Sequence, residues 1–392
     1  MARLPPERQA LFADLLRTAR QDVDAGVVAA NHHERQRYWH FWTEFVEPFH
    51  GVDAMLTAVP DPDRIDLLLG FALRTRAGDY GDGHKVRAGT VQVALRAIGA
   101  TFELEGLPNP TYRSPGKYWV PIQRQIEAYR RQDPPAQHKL AVPVAVVNHL
   151  IEVGFTSTSD KLQASCDMST IAFYFLLRVG EYTGHKKKEN RRTKQFRACD
   201  IIFYDANDEI IPNTAPLHIL YTATVAVMRI TNQKNGTRGS RISHTTSGTK
   251  ACPVKALARR VHYIMDHPEC SDTDIISTYY STRTRTARPL QAGDINTLIK
   301  SAVSLLGLDK KGFPPDAVSS HSLRAGGAMA MHLNNIDRDK IRKQGRWSSD
   351  TFLMYIHEQI SAFSTGLATK MSTEIGWHNI DGPTLIEPAP AA

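Results

Sequence analysis

Between residues 131 and 143 the chain reads RQDPPAQHKLAVP, and three prolines there break a helical pattern that dominates everything before them. Proline has no amide to donate and pushes the residue before it away from helical dihedrals. No continuous helical body can run through this point, so the chain is expected to divide into a front body and a larger back body. A length of 392 residues suits two or three domains, each able to bury a core. The expected boundaries are 1–135 for a helical front domain, 136–143 for a linker, 144–372 for a mixed domain and 373–392 for a disordered tail ending GPTLIEPAPAA.

In the front body Tyr38, Trp42, Phe45 and Phe49 recur at helical spacing, as do Val91, Leu95, Ile98 and Phe102. Aromatic stripes of this kind are read as core. A glycine-rich connection, GDYGDGHKVR at 78–87, separates them, and a last helix is expected from about Tyr118 to Arg131. His32 and His33 have no third ligand at metal spacing.

The back body alternates signals. Helices are expected at about 143–154 and 167–182, the second ending at the segment Arg178 to Glu181, and again from Ala292 to Leu306. Between them lie strand-like runs, CDIIFYD, EIIP, LHILYTATVAVMRIT and SRISHT, with Asn235-Gly236 forming a hairpin turn. The expected fold class is therefore α+β and mostly α, with a small antiparallel sheet confined to the second domain.

The net charge of +8 favours a polyanionic partner, although a solvated basic face gives the same number. Four cysteines stand far apart without C-x-x-C pairing, so neither a zinc site nor a disulfide framework is indicated, and no metal or other cofactor is expected. The opening MARLPPERQALF lacks a secretory core, and the most apolar run, TIAFYFLLRV, is too short to span a bilayer. An intracellular protein that makes no use of a membrane is expected.

Chemistry concentrates in HSLRAGGAMAMHLNNIDRDKIRKQGRWSSDTFLMYI, residues 321–356. With Ser320 as N-cap, His321 and Arg324 fall three apart on one face of a helix start, where free N–H groups and the dipole favour an anion. Arg324 adds a planar fork that can hold two phosphate oxygens. Gly326 and Gly327 leave room for a second backbone. A short helix from Asp337 to Gln344, ended by Gly345, leads through Arg346 and Trp347 to a third helix capped by Ser348 or Ser349 and bearing Tyr355. Phe352, Ile356, Ile360, Phe363 and Leu367 form its apolar stripe. Taken singly, each of these residues has a plain structural reading.

Taken in order, they resemble the C-terminal signature of the tyrosine recombinases, also called phage integrases: His-x-x-Arg, then Gly-Arg-Trp, then a Tyr on a capped helix. FYFLLRVGEY resembles the segment carrying that family's first arginine and supplies Arg178 with Glu181. VMRITNQKNGTRGSRISH resembles its lysine-bearing hairpin and supplies Lys234, with Lys250 the alternative, and CPVKALARR resembles the proline-led helix that follows. The spacing after Arg324 and the long insert before Lys234 further resemble integrases of eukaryotic mobile elements.

The resemblance implies a helical, SAM-like core-binding domain that clamps DNA in front of the catalytic domain, with the joint letting the two close around a duplex. It implies that Tyr355 attacks a phosphodiester, that Arg178 and Arg324 hold the non-bridging oxygens, and that Lys234 protonates the leaving oxygen. His321 and Trp347 would assist and Glu181 would orient its neighbours. The expected partners are double-stranded DNA and further copies of the chain, two to four on DNA. Basic residues proposed for the DNA backbone are Lys186, Lys187, Lys188, Arg191, Arg192, Arg238, Arg241, Arg283 and Arg285, though the run at 185–197 equally suits a solvated loop or a nuclear import signal. The location would be the nucleus for a eukaryotic source and the cytoplasm otherwise. Two other readings share the motif: a recombinase-derived DNA-binding protein that no longer cuts, and a type IB topoisomerase that relaxes DNA of any sequence.

Overall fold

The computed structural model describes residues 5–26, 29–135, 139–184, 194–231 and 239–353. The described residues divide into two compact units, those up to 135 and those from 139 to 353. Among the described residues no helix is long and apolar enough to cross a membrane.

The first unit is helical: α1 (Pro6–Ala25), α2 (Ala29–Val46), α3 (Asp61–Ala77), α4 (Ala88–Leu104) and α5 (Val120–Gln132), with a small hairpin of β1 (Tyr112–Ser114) and β2 (Lys117–Tyr118) before α5. The aromatic stripe of α2 and the aliphatic stripe of α4 meet in one core: Trp42, Phe71, Val91, Leu95 and Ile98 are wholly buried. Two sequence expectations shift here. Phe49 lies beyond the end of α2 and is exposed, and Tyr118 belongs to β2, because Pro121 starts the helix later than the apolar spacing alone suggests.

The second unit begins before its first helix. Leu140 donates its amide to the Ala317 carbonyl and Val142 to that of Ser322, and Ala141 and Val142 are buried. The later part of the stretch read as linker is thus fixed to the second unit, since apolar residues next to a partner with free carbonyls pack regardless of nearby prolines. Two helices follow, α6 (Val144–Thr156) and α7 (Asp160–Tyr174), and every residue of α7 from Ala164 to Phe173 is buried. Its one charged residue in that run, Asp167, is matched by Arg259, whose Nε donates at 2.9 Å.

The sheet is antiparallel in the order β4-β3-β5-β6, from β3 (Ile201–Tyr204), β4 (Ile210–Ile211), β5 (Val225–Arg229) and β6 (Arg241–Thr245). One strand-like run is split: Leu217–Leu220 forms a helical turn, α8, led by Pro216, and only Val225–Arg229 enters the sheet. Short apolar runs do not distinguish the two states by periodicity. The amphipathic α9 (Pro253–Asp266) follows, then a hairpin of β7 (Thr278–Ser281) and β8 (Thr286–Pro289), α10 (Ala292–Leu305), α11 (Ser320–Leu333) and α12 (Arg338–Gly345).

The two glycines of α11 are a packing device. A β-carbon on Gly326 would lie 2.3 Å from the Val142 carbonyl oxygen, and one on Gly327 2.1 Å from that of Phe173. Helix α11 therefore lies backbone to backbone on the end of α7 and on the segment before α6. That approach brings the start of α11 beside the residues that follow α7.

Candidate active site

Sequence reading has α7 continue to Glu181, but the helix stops at Tyr174. Leu176 takes a left-handed conformation, φ 49°, and the Leu177 amide returns to the Ala172 carbonyl. This is a Schellman ending with leucine where glycine is usual, at a local cost of roughly 1–2 kcal/mol. A buried leucine side chain offsets it. The consequence is geometric. Arg178 leaves the helix with extended backbone, ahead of a short 3-10 turn, Val179–Glu181.

Glu181 is fully buried and acts as a hub. Its Oε2 accepts the Arg178 amide at 2.8 Å, and its Oε1 accepts Arg178 Nη1 at 3.0 Å. Oε2 also accepts Nη2 of Arg346 at 3.0 Å, from a segment 165 residues away. A carboxylate taken out of water needs such partners, since an unpaired buried charge costs several kcal/mol.

The N-cap of α11 is Ser319, one residue before the position expected, and its hydroxyl accepts the His321 amide at 3.3 Å. Ser320 is pulled inward by its amide bond to Asn296 Oδ1 at 2.6 Å. Arg324 is buried and donates to the Leu176 and Gly345 carbonyls. Its guanidinium lies over the Trp347 ring, 4.3 Å from the centroid. This stacking both holds the fork flat and fixes the indole. His321 has one side open to solvent and lies within reach of both Arg324 and Arg178; burial first, then these two cations, hold its pKa below the ordinary 6.5. Both effects favour the neutral imidazole.

The left-handed residue that ends α12 is Arg346, φ 57°, not Gly345. Glycine is needed at 345 for a different reason: a β-carbon there would lie 1.7 Å from the Trp347 ring. Trp347 then packs on Phe352, centroids 5.3 Å apart, in a small cluster with Ile341, Ala325 and Ala328.

The structure thus brings together Arg178, Glu181, His321, Arg324 and Trp347. Tyr355 and Lys234 lie outside the described residues, as do Lys186, Lys187, Lys188, Arg191, Arg192 and Arg238. Lys234 belongs to the connection between β5 and β6, which pair from Val225 opposite Thr245 to Arg229 opposite Arg241. Arg241 is exposed at the start of β6, and Arg283 and Arg285 are exposed in the turn of the β7–β8 hairpin. The alternative lysine, Lys250, is exposed and pairs with Glu152 at 3.5 Å.

Sequence reasoning missed two residues. Arg346 is one. The other is His244 on β6, whose Nε2 lies 2.6 Å from the Tyr174 carbonyl oxygen and 2.8 Å from the Gln344 side-chain nitrogen. It ties the sheet to the end of α7 and to α12. Burial lowers its pKa, with the Tyr174 carbonyl opposing.

Both histidines therefore favour the neutral form in the folded state, while the unfolded chain takes up protons near pH 6.5. Below that pH the unfolded state binds more protons, so stability is lost as pH falls through the lowered folded values. The urea midpoint is expected to fall between pH 6.5 and 5 and to be level above about pH 7.5 with respect to these groups. A His244→Gln variant should show a shallower fall, and an unchanged slope would remove His244 from the account.

The chain matches no family model, and no sequence of a curated protein matches it. Solved structures similar to it include three. The Tn1549 transposon integrase in complex with transposon right-end DNA is 10% identical, the match covering 84% of this chain and 99% of that one, with a TM-score of 0.43. A lambda integrase dimer bound to a COC′ core site is 15% identical over 87% and 93%, TM-score 0.43. The XerH site-specific recombinase bound to a palindromic difH substrate is 11% identical over 83% and 77%, TM-score 0.47.

Proposed function

We propose that this chain is a tyrosine recombinase, a site-specific enzyme that breaks and rejoins DNA through a 3′-phosphotyrosine intermediate. The observation that carries the reading is the convergence of Arg178 and Arg324, from segments some 140 residues apart, on one hydrogen-bonded network through Glu181, Arg346 and the Leu176 carbonyl, with His321 one turn before Arg324 and Trp347 stacked on Arg324. Two guanidiniums beside a neutral imidazole form a site for a phosphate in flight. A surface ion pair has no need of such rigid support.

In the reaction the Tyr355 phenol oxygen bonds to phosphorus while the bond from phosphorus to the 5′-oxygen breaks. The phenol proton passes to His321, whose neutral ring has a nitrogen to accept it. Arg178 and Arg324 stabilise the charge on the non-bridging oxygens, and Lys234 gives its proton to the departing 5′-oxygen, which leaves as a hydroxyl. A phenol with pKa near 10 is a better leaving group than an alkyl alcohol, so the protein–DNA bond stays reversible and keeps the energy needed for rejoining. Glu181 orients the arginines. The exposed Arg241, Arg283 and Arg285 are assigned to phosphate-backbone contact, with the lysine-rich run at 186–192. The first unit serves as the clamp domain, and the active assembly is a dimer to tetramer on DNA. A mobile element is the parent, and the protein works in the nucleus if its source is eukaryotic.

The test is incubation of the purified protein with a library of nicked duplexes in the presence of a metal chelator and without nucleotide. A denaturant-stable protein–DNA adduct, restricted to a subset of sequences, is expected. Adduct on every sequence, with relaxation of any supercoiled plasmid, would instead mark a topoisomerase, and binding without adduct a silent DNA-binding protein.

A further inference from the structure

Among the described residues of this region, Arg346 is the one strongly buried cation that the proposed chemistry leaves without a task. It lies between the glycine that makes room for Trp347 and Trp347 itself, in a left-handed conformation that costs a non-glycine residue roughly 1–2 kcal/mol. Its side chain is 8% exposed. Burial lowers its pKa and Glu181 opposes that shift. A strained, desolvated arginine persists where its surroundings hold it firmly, and here the holding groups can be named.

Its Nη2 donates to two acceptors, the Leu176 carbonyl and Glu181 Oε2, each at 3.0 Å. Both acceptors are shared. The Leu176 carbonyl also accepts Arg324 Nη1, and Glu181 also accepts the Arg178 guanidinium and amide. One guanidinium nitrogen therefore links the support of Arg178 to the support of Arg324. Leu176, the residue whose carbonyl it takes, is itself left-handed, so the bond joins two strained positions, one after α7 and one after α12. Trp347, stacked on Arg324, is the next residue along the chain. Without this link, the ends of α7 and α12 would keep Arg324's bonds to the Leu176 and Gly345 carbonyls and the His244 bridge from Tyr174 to Gln344, but the supports of Arg178 and Arg324 would be uncoupled and Glu181 would lose its second cation.

We infer that Arg346 is a positioning residue that sets the separation and orientation of Arg178 and Arg324, working through Glu181 and the Leu176 carbonyl without itself touching the phosphate. The inference rests on the recombinase reading above. Phosphate clamping by two forks depends on their mutual geometry, and a displacement of about 1 Å in such a pair costs on the order of a hundredfold in rate. Lysine is a poor replacement for this arginine: its rotatable ammonium carries the charge and enough donors, but it lacks the planar guanidinium that fixes the direction of the two Nη2 bonds.

The experiment compares wild type, Arg346→Lys, Arg346→Met, Glu181→Gln and the double variant Arg346→Lys/Glu181→Gln, in the full-length protein. It measures DNA affinity by gel shift, single-turnover adduct formation on a nicked duplex, and thermal unfolding. The expected result is a loss of about ten- to a hundredfold in adduct rate for Arg346→Lys, with DNA affinity within about threefold of wild type. The double variant should lose little more than the worse single variant, because the two residues act on one linkage. A purely structural role would lower the unfolding temperature and leave the rate per folded molecule unchanged, which overturns the inference. Additive losses overturn it as well, as does failure of both Arg346 variants to fold. A wild-type protein that forms no adduct on any duplex removes the recombinase reading and this inference together, whereas active wild type with equally active Arg346 variants removes this inference alone.

Discussion

Arg324→Ala should reduce covalent capture of a nicked duplex by at least two to three orders of magnitude while leaving DNA affinity within a few fold. Losing one preorganised donor to a developing oxyanion costs about 10²–10³ in rate. Here the loss goes further, because the same side chain carries the Leu176 and Gly345 carbonyl contacts and the face on which Trp347 lies. Arg324→Lys should recover little, since an ammonium cannot serve two carbonyls, an indole face and a phosphate at once. The measurement is single-turnover adduct formation at saturating DNA, with a melting curve on each variant to separate loss of chemistry from loss of fold. An Arg324→Ala protein that captures DNA at more than a tenth of the wild-type rate would show that the phosphate is held elsewhere.

Gly327→Ala is expected to have the largest effect on stability. The added methyl would meet the Phe173 carbonyl oxygen at 2.1 Å and a Leu176 methyl at 2.4 Å, and neither is the end of a flexible side chain in open space. Helix α11 would have to move away from α7, opening a buried interface. Overpacking typically costs 1–3 kcal/mol and exceeds that where backbone must shift, so about 3 kcal/mol or more is expected, a drop of roughly 6–12 °C for a unit of this size. Activity should fall with it, because the same shift carries His321 and Arg324 away from Arg178. Gly293→Ala, on α10, is the internal control. Nothing lies within 4 Å of its β-carbon, and a helical glycine replaced by alanine gains up to about 1 kcal/mol. Equal melting temperatures for the two variants would contradict the close packing of α11 on α7.

The division of labour between sequence and tertiary structure is visible residue by residue. The small face of α11 could be read directly, because two adjacent glycines in a helix have few other uses. Most of the helical and strand-like content of each half could be read from periodicity, apart from the short β1–β2 hairpin, where a helix was expected from Tyr118, and Leu217–Leu220, where an apolar run of four fits either state. The end of α7 could not. A leucine in the left-handed region has no local signature, and only its burial in the second unit makes it tolerable. Arg346 was invisible for a similar reason: an arginine beside a tryptophan looks exposed until Glu181 arrives from far along the chain. The cue was present in Gly345, which serves as a seat for an indole ring instead of the helix stop it resembled. His244 sat inside an alternating strand pattern, where a half-buried histidine looks like any other inward residue.

Everything proposed turns on a single phenol. Wild-type protein and its Tyr355→Phe variant should bind the same nicked duplex with equal affinity. Only the wild type should yield a denaturant-resistant adduct, and digestion of that adduct should leave a nucleotide on the peptide spanning residue 355. Adduct formed by the Phe variant, or a nucleotide found on any other residue, would contradict the account at its centre.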